Sequence, residues 1–112
     1  MKIETLKYNY EFKNVFNKGK YYIGNQVIIY FLKNKYDHNR VGIAINKRLC
    51  HAFKRNYLKR IIRESYRKLD LNEKNSFDVV FIWNKKCDVN EASYNKVNED
   101  ITKIFNKNGL LK

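Results

Sequence analysis

Cationic side chains recur at helical spacing within Lys47–Arg67, and their types suit the binding of phosphate groups. At 3.6 residues per turn, one side of this helix would carry Arg55, Asn56, Lys59, Arg60, Arg63 and Arg67. Arginine presents a planar fork of donors that matches phosphate oxygens, so the choice of arginine matters beyond its charge. The opposite side would carry Leu58, Ile61, Ile62 and Leu69. The pattern predicts a helix that packs one side on a core and presents the other to an anion.

Like charges lie one helical turn apart on this basic side. A charged helix face is often only a solvated surface. Here, however, Arg55 precedes Lys59, Lys59 precedes Arg63 and Arg63 precedes Arg67 by four residues each. Each such like-charge pair costs about 0.2–0.5 kcal/mol. A bound polyanion removes this cost, so the basic side is predicted to be functional.

The net charge points to a polyanionic partner. The 112 residues carry a formal charge of +13, with 44% hydrophobic and 31% charged residues, which predicts one folded domain over residues 1–112. Residues 1–70 hold 17 Lys and Arg against 5 Asp and Glu, whereas residues 71–112 hold 7 against 6. Nucleic acid is the leading candidate partner, and an anionic membrane surface is the alternative.

Hydropathy and cysteine usage predict a cytosolic protein. The sequence has no apolar run near the roughly 18–20 residues that a bilayer-spanning helix needs, and residues 1–12 lack the apolar segment of a secretory signal. Cys50 and Cys87 are isolated, which is typical of reduced thiols in the cytosol.

Groups that could perform catalysis are sparse. The acids are scattered, and only Glu99 and Asp100 adjoin, on a helix with nearly balanced charge. Cys50, His51 and Cys87 could meet around a zinc ion, but they are only three of the four ligands that a structural zinc site needs. Four glycines in the whole chain form no phosphate-binding loop. The chain is therefore predicted to bind rather than to catalyse.

Strands and helices alternate around the basic helix. Strands are predicted at Tyr21–Lys33, with a bulge or bend at Gly24 and Asn25, at Arg40–Lys47 and at Phe77–Trp83. Besides the basic helix, entered through Leu49–Phe53, helices are predicted at Asn9–Lys18, which Asn9 would cap and a left-handed Gly19 would end, and at Asn90–Lys107, followed by Gly109. Polar segments 34–39 and 72–76 predict loops. The strand, basic helix and strand form a βαβ unit, whose two strands are expected to be parallel.

Two faces of these elements admit two interpretations each. Phe12, Val15 and Phe16 could form a core face, or the two phenylalanines could form an aromatic shelf on which bases stack. On the second strand, Gly42 and Ala44 leave room either for a closely packed helix or for an open sheet surface that holds a ligand. The sequence alone leaves both questions open.

The segment Ala52–Glu64, AFKRNYLKRIIRE, resembles the signature helix of the bacterial ribonuclease P protein subunit. That family carries an Arg-Asn-Arg core followed by Lys-Arg and Arg-Glu. Its other features are matched along nearly the whole chain by Phe12 and Phe16 before Gly19, by Tyr30, by Val41-Gly42-Ile43 and by Asn46-Lys47-Arg48. The chain departs from the pattern at Tyr57, the third residue of the core, and at Cys50-His51, where the family usually has Gly-Asn.

The resemblance implies an α+β fold, an α/β sandwich in which helices back a central sheet of about four strands, with a left-handed βαβ crossover. It implies that a large catalytic RNA performs the reaction and holds Mg²⁺, with no metal assigned to the protein. The implied contacts to this RNA subunit are Arg55, Lys59, Arg60, Arg63 and Arg67. The residues implied to bind the single-stranded 5′ leader of precursor tRNA are Phe12, Phe16, Tyr30, Asn46, Lys47, Arg48 and Asn56.

The expected assembly is one protein monomer with one RNA subunit and a precursor tRNA, without DNA or membrane. A ribosomal or other structural RNA-binding protein is the alternative, since it would use the same charges without a leader site. A DNA-binding regulator is disfavoured because Val41–Asn46 predicts a strand where a helix-turn-helix motif needs its first helix.

Overall fold

The computed structural model describes residues 4–72, 74 and 76–112, and its centre is a five-stranded sheet in the order β1-β4-β5-β3-β2. The strands are β1 Glu4–Thr5, β2 Lys20–Ile23, β3 Val27–Lys33, β4 Arg40–Ala44 and β5 Phe77–Trp83. The helices are α1 Asn9–Lys18, α2 Ala52–Arg67 and α3 Tyr94–Lys107, with one 3-10 turn at Val89–Glu91. Within the described part of the chain, no helix is both long and apolar enough to cross a membrane.

The βαβ unit is confirmed, because β4 and β5 flank α2 and pair in parallel. The β2–β3 and β3–β5 pairs are antiparallel, and the short β1 adds a parallel partner to the start of β4. The sheet therefore has five strands rather than about four. The left-handed path of the crossover stays a prediction, and the predicted turn at 72–76 falls partly outside the described residues, at 73 and 75.

The single long strand predicted at Tyr21–Lys33 is wrong, because the segment folds into the β2–β3 hairpin. At the turn, the Asp100 carboxylate of α3 accepts hydrogen bonds from the backbone N–H groups of Asn25 (3.0 Å), Gln26 (2.7 Å) and Val27 (3.1 Å). A Cβ on Gly24 would lie 2.6 Å from Asp100 Cγ, so glycine permits this close approach. The partner that shapes the turn is thus distant in sequence.

Both helix-cap predictions for α1 are wrong, although its bounds are as predicted. Tyr8, not Asn9, precedes the helix, and the Glu11 carboxylate accepts from the backbone N–H groups of Lys7 and Tyr8 at 2.8 and 2.9 Å. Gly19 is extended, with φ −78°. The position requires glycine for lack of space, because a Cβ there would lie 2.6 Å from the Val15 carbonyl oxygen. The left-handed conformation occurs instead after α3, at Gly109.

Three other predicted bounds shift by a few residues. The second strand ends at Ala44, and α2 begins at Ala52, so Phe53 belongs to the helix rather than to the connector. The last helix begins at Tyr94 because Val89–Glu91 forms a separate turn, in which the Asp88 carboxylate accepts from the backbone N–H of Asn90.

The main core lies between the sheet and the helix pair α2–α3. The apolar side predicted for α2 is confirmed, since Leu58, Ile61 and Ile62 are buried, and α3 buries Val97, Ile101, Ile104 and Phe105. Aromatic rings of the two layers pack against each other; the ring centroids of Phe105 in α3 and Phe31 in β3 are 5.1 Å apart. This packing fixes α2 so that its basic side faces outward.

The opposite face of the sheet carries α1, which is attached by a small core and one ion cluster. Val15, Leu6 and Val80 form that core. Arg40 of β4 donates from Nε and Nη2 to the two Asp78 carboxylate oxygens at 2.9 and 2.7 Å, and from Nη1 to Glu11 of α1 at 2.7 Å. Their side chains are only 5–16% exposed, so this cluster is largely shielded from water.

The ionisation of the cluster follows from its contacts. Burial raises the pKa of Asp78, but the hydrogen bonds from Arg40 and Asn34 outweigh it and hold the pKa below its usual range. The pKa of Glu11 is lowered chiefly by the Tyr8 backbone N–H, against an opposing effect of burial. Hydrogen bonding to Asp78 raises the pKa of Arg40, so all three groups stay charged.

The cluster predicts an acid-sensitive fold. Both carboxyl groups have lowered pKa values, so their contribution to stability is present above the ordinary carboxylate pKa of about 4 and is lost as pH falls through the folded-state values. We expect Asp78→Asn to lower the free energy of unfolding at pH 7 by about 3–5 kcal/mol and to flatten its decline below pH 4, measured by urea denaturation.

Asp70→Asn is the matched control, because Asp70 is exposed and only reaches Lys112 at 3.7 Å. Its effect should stay below about 1 kcal/mol. Equal losses from the two substitutions would contradict the role of the cluster.

Candidate nucleic-acid interface

The basic side of α2 is present as predicted. Asn56, Arg60, Arg63 and Arg67 are exposed, whereas Arg55 and Lys59 are half-buried. Within the described residues, none of these cations lies within 4.0 Å of a carboxylate. Their charges are thus available to an external anion, and Arg40 is the one arginine in the described chain that pairs with acids.

Arg55 has a second task inside the protein. Its Nη1 donates to the Cys50 carbonyl oxygen at 2.6 Å and lies 3.4 Å from the Lys47 carbonyl oxygen. These contacts hold the loop between β4 and α2, in which the Asn46 carboxamide oxygen also accepts from the Arg48 backbone N–H at 2.9 Å. Arg55 therefore positions the loop that presents Asn46, Lys47 and Arg48, all of which are exposed.

The two departures from the family pattern have local explanations. Cys50 and His51 fit the turn without strain, because no described non-glycine residue has a positive φ; His51 is extended and its carbonyl accepts from the Arg55 backbone N–H. Tyr57 removes one cation but gathers two others. The Lys54 ammonium lies 5.0 Å and the Arg60 guanidinium 5.5 Å from the centre of its ring, within cation–π range.

The aromatic residues of α1 divide between core and surface. Val15 is fully buried, whereas Phe12 is half-buried and Phe16 is 37% exposed. Phe16 meets Tyr30 of β3 edge to face, with ring centroids 4.9 Å apart and planes at 82°. The core interpretation thus holds for Val15, and the two phenylalanines form a partly exposed wall above the sheet.

Both interpretations of the small residues on β4 apply, at different positions. A Cβ on Gly42 would lie 2.5 Å from Phe12 Cε1, so the α1 wall packs closely there. At Ala44 the sheet is not covered by α1. The pairing register places Ile23, Ile28, Ile82 and Ala44 in one row across four strands, and all four are at least partly exposed. We call this row, together with the adjoining rings of Phe16 and Tyr30, the groove.

Cavities join the groove to the basic side of α2. A cavity of about 690 Å³ is lined by Ile28, Ala44, Ile82, Asn46, Lys59 and Lys85 among others. A second, of about 250 Å³, is lined by Phe12, Gly42, Lys59 and Arg63 among others. Lys59 borders both, so the predicted leader-binding residues Phe12 and Asn46 adjoin the predicted RNA-binding residues Lys59 and Arg63.

Sequence reasoning missed three exposed apolar side chains, of which Tyr21 and Ile23 lie at the groove. Tyr21 is 59% exposed, and its ring lies 5.5 Å from that of Tyr30 at 34°, while Ile23 is 66% exposed. Their placement depends on the β2–β3 hairpin, which pairs Tyr21 with Tyr30. Phe53, in the first turn of α2, is 88% exposed next to Lys54, and an isolated phenylalanine in a basic segment is the signal that could have found it.

Among the described residues, no group of three or more His, Cys, Asp or Glu side chains is placed to hold a metal ion. Cys50 and Cys87 are free thiols, and burial raises the pKa of Cys87.

An uncovered apolar and aromatic row beside a helix of unpaired cations combines two features typical of nucleic-acid-binding domains, rings on which bases can stack and cations that can meet phosphates. The ribonuclease P family model matches residues 1–109, and this chain belongs to that family. It is 34% identical to the ribonuclease P protein component of Fusobacterium nucleatum, over 97% of this chain and 100% of the relative. It is 33% identical to that of Clostridium botulinum, over 98% of each chain.

Solved structures agree with the fold. The ribonuclease P protein of Staphylococcus aureus superposes with a TM-score of 0.81 at 24% identity, covering 99% of this chain and 100% of that one. The protein from Thermotoga maritima superposes with a TM-score of 0.78 at 28% identity, covering 93% and 96%.

Arg55 and Arg63 should differ in their effect on stability. Arg55→Ala removes charged hydrogen bonds to the loop, so we expect the free energy of unfolding to fall by about 1.5–3 kcal/mol. Arg63→Ala removes an exposed cation with no partner among the described residues and should leave stability nearly unchanged. Urea denaturation measures both, and equal stabilities for the two variants would contradict the positioning role of Arg55.

Proposed function

We propose that this chain is the protein subunit of ribonuclease P, which binds a catalytic RNA and the 5′ leader of precursor tRNA and so assists leader removal. The observation that carries the proposal is the continuity of the groove with the basic side of α2 through Lys59. An unpaired strand in the groove would lie directly beside an RNA held on the helix.

The RNA subunit would bind the exposed cations of α2. Arg60, Arg63 and Arg67 project from a helix whose other side is fixed in the core, so their guanidinium groups are presented on a rigid support. The repulsion among them is relieved when phosphates bind. Tyr57 would help by holding Lys54 and Arg60 near its ring before RNA arrives.

The leader would lie in the groove. The exposed rings of Phe16 and Tyr21 and the half-buried ring of Tyr30 offer flat surfaces on which bases of any sequence can stack, at about 1–3 kcal/mol per base. Asn46, Lys47 and Arg48 would contact the strand at the end of the groove nearest α2, since they lie on the exposed loop between β4 and α2. Asn56, in the second turn of α2, would contribute from the same side.

Bond cleavage is assigned to the RNA subunit, which would hold the Mg²⁺ ions. The protein would supply positive charge and stacking surfaces, as one monomer per RNA subunit in the cytoplasm. The groove contains no acid among its described lining residues, so a phosphodiester strand meets no repulsion there.

The direct test is cleavage of a precursor tRNA by the cognate catalytic RNA at low Mg²⁺. We expect the protein to raise the rate and the complex to bind precursor tRNA more tightly than mature tRNA. The affinity for RNA should fall by about 10³–10⁵ between 50 and 200 mM salt if six to ten phosphates are contacted. Equal affinity for precursor and mature tRNA would instead favour a structural RNA-binding role.

The aromatic rings beside the groove lead to a separate prediction. Phe16→Ala and Tyr21→Ala should each reduce the preference for precursor over mature tRNA by at least about fivefold, because each removes a ring worth about 1–3 kcal/mol. Tyr10→Ala is the control, because Tyr10 is an exposed ring on the same helix that stacks on Tyr8 instead. An unchanged preference in the Phe16 variant, at equal thermal stability, would show that the Phe16 ring is not part of the leader site.

A further inference from the structure

A second concave site lies at the β2–β3 edge of the sheet, between the last residue of α1, Lys18, and the segment that follows α3. It is a cavity of about 360 Å³, within the range of small-ligand pockets of about 300–1,000 Å³. Its lining includes Lys18, Lys20, Lys33, Tyr22, Phe31 and Phe77, and the segment after α3 closes one side with Leu110. We call this site the lysine pocket.

The pocket combines positive charge with aromatic rings. Within the described residues, none of its three lysines pairs with a carboxylate. Lys20 pairs with Phe31 in the sheet, so Lys33 is its diagonal neighbour on the same face, an arrangement in which like charges repel. The ring of Phe31 meets those of Tyr22 and Phe77 edge to face, with centroids 5.9 and 6.2 Å apart. The rings of Tyr22 and Phe77 are partly exposed.

This chemistry selects a phosphate attached to a planar group. Lysine acts as a point charge towards phosphate oxygens, and exposed aromatic rings stack on bases without regard to their sequence. A nucleotide provides both parts. A purely apolar ligand would gain nothing from the three exposed ammonium groups, and inorganic phosphate would gain nothing from the rings.

The position of β2 connects the lysine pocket with the groove. β2 lies at one edge of the sheet, and its side chains alternate between the two faces. Tyr21 and Ile23 belong to the groove, whereas Lys20 and Tyr22 belong to the lysine pocket. A flexible strand that leaves the groove at β2 therefore reaches the pocket by passing around one sheet edge.

The polarity of that strand follows from the proposed function. The RNA subunit that cuts the substrate would lie on α2, at the Lys59 end of the groove, so leader nucleotides far from the cleavage site would emerge at β2. We propose that the lysine pocket binds a single nucleotide of the 5′-distal leader after the strand has passed the edge of the sheet. This inference rests on the proposed function for its choice of RNA, although the pocket itself can be tested without it.

The first experiment tests the pocket alone. Uridine 5′-monophosphate is titrated into ¹⁵N-labelled protein, with inorganic phosphate as the comparison. We expect amide shifts centred on Lys20, Tyr22, Lys33 and Phe77, larger and at lower concentration with the nucleotide. Shifts that are the same for both ligands, or that avoid these residues, would overturn a nucleotide site, whatever the outcome for the leader groove.

The second experiment tests the leader assignment in the complex of protein and RNA subunit. The variant Lys20→Gln/Lys33→Gln is compared with Lys96→Gln/Lys103→Gln, which removes the same charge from exposed positions on α3. With long leaders, the pocket variant should bind precursor tRNA more weakly than the control and reduce the salt slope by about 0.7 per lost phosphate contact. With leaders too short to reach β2, the two variants should bind equally.

An equal loss for short and long leaders would overturn the leader assignment and place the nucleotide elsewhere in the RNA. No difference between the two variants at any leader length would also overturn it. If wild-type protein shows no preference for precursor tRNA, the proposed function fails, and the nucleotide titration still decides whether the pocket is a nucleotide site.

Discussion

The ion cluster of Arg40, Asp78 and Glu11 is the interaction on which the geometry of the groove depends. Helix α1 touches the sheet through a small apolar core, so the position of its aromatic side chains depends on the bond from Arg40 of β4 to Glu11, with Arg40 itself held by Asp78 of β5. Burying three charges is costly unless their hydrogen-bonding capacity is filled. Here Asn34 adds a bond to Asp78, and backbone N–H groups add two to Glu11, so the carboxylates are well satisfied.

Arginine serves three different purposes in this chain, and burial separates them. Arg40 is turned inward and joins a helix to two strands. Arg55 is half-buried and holds a loop through carbonyl oxygens, while Arg63 is exposed with no carboxylate partner in the described structure. The net charge of +13 opposes folding. The chain tolerates it because the apolar side of α2 is fully packed in the main core, independently of the charges outside.

Local patterns predicted the elements better than their connections. The bounds of α1 and β5, the buried side of α2 and the parallel βαβ pair follow from periodicity and length, and the structure confirms them. The β2–β3 hairpin depends on Asp100, 73 to 75 residues from the amides it binds, and no local pattern carries that information. The role of Tyr21 could not be predicted for the same reason, since only the hairpin places its ring beside Tyr30.

The groove also shows why exposed aromatic rings can persist in a stable fold. Phe12 is held against Gly42, Phe16 against Tyr30, and Tyr30 against Tyr21, so each ring is partly ordered before any ligand binds. A base that stacks on ordered rings pays less conformational entropy than one that must order them. Rings fixed in this way read the flat face common to all bases, which suits a strand whose sequence varies from one substrate to the next. Rigidity and tolerance of sequence thus arise from the same contacts.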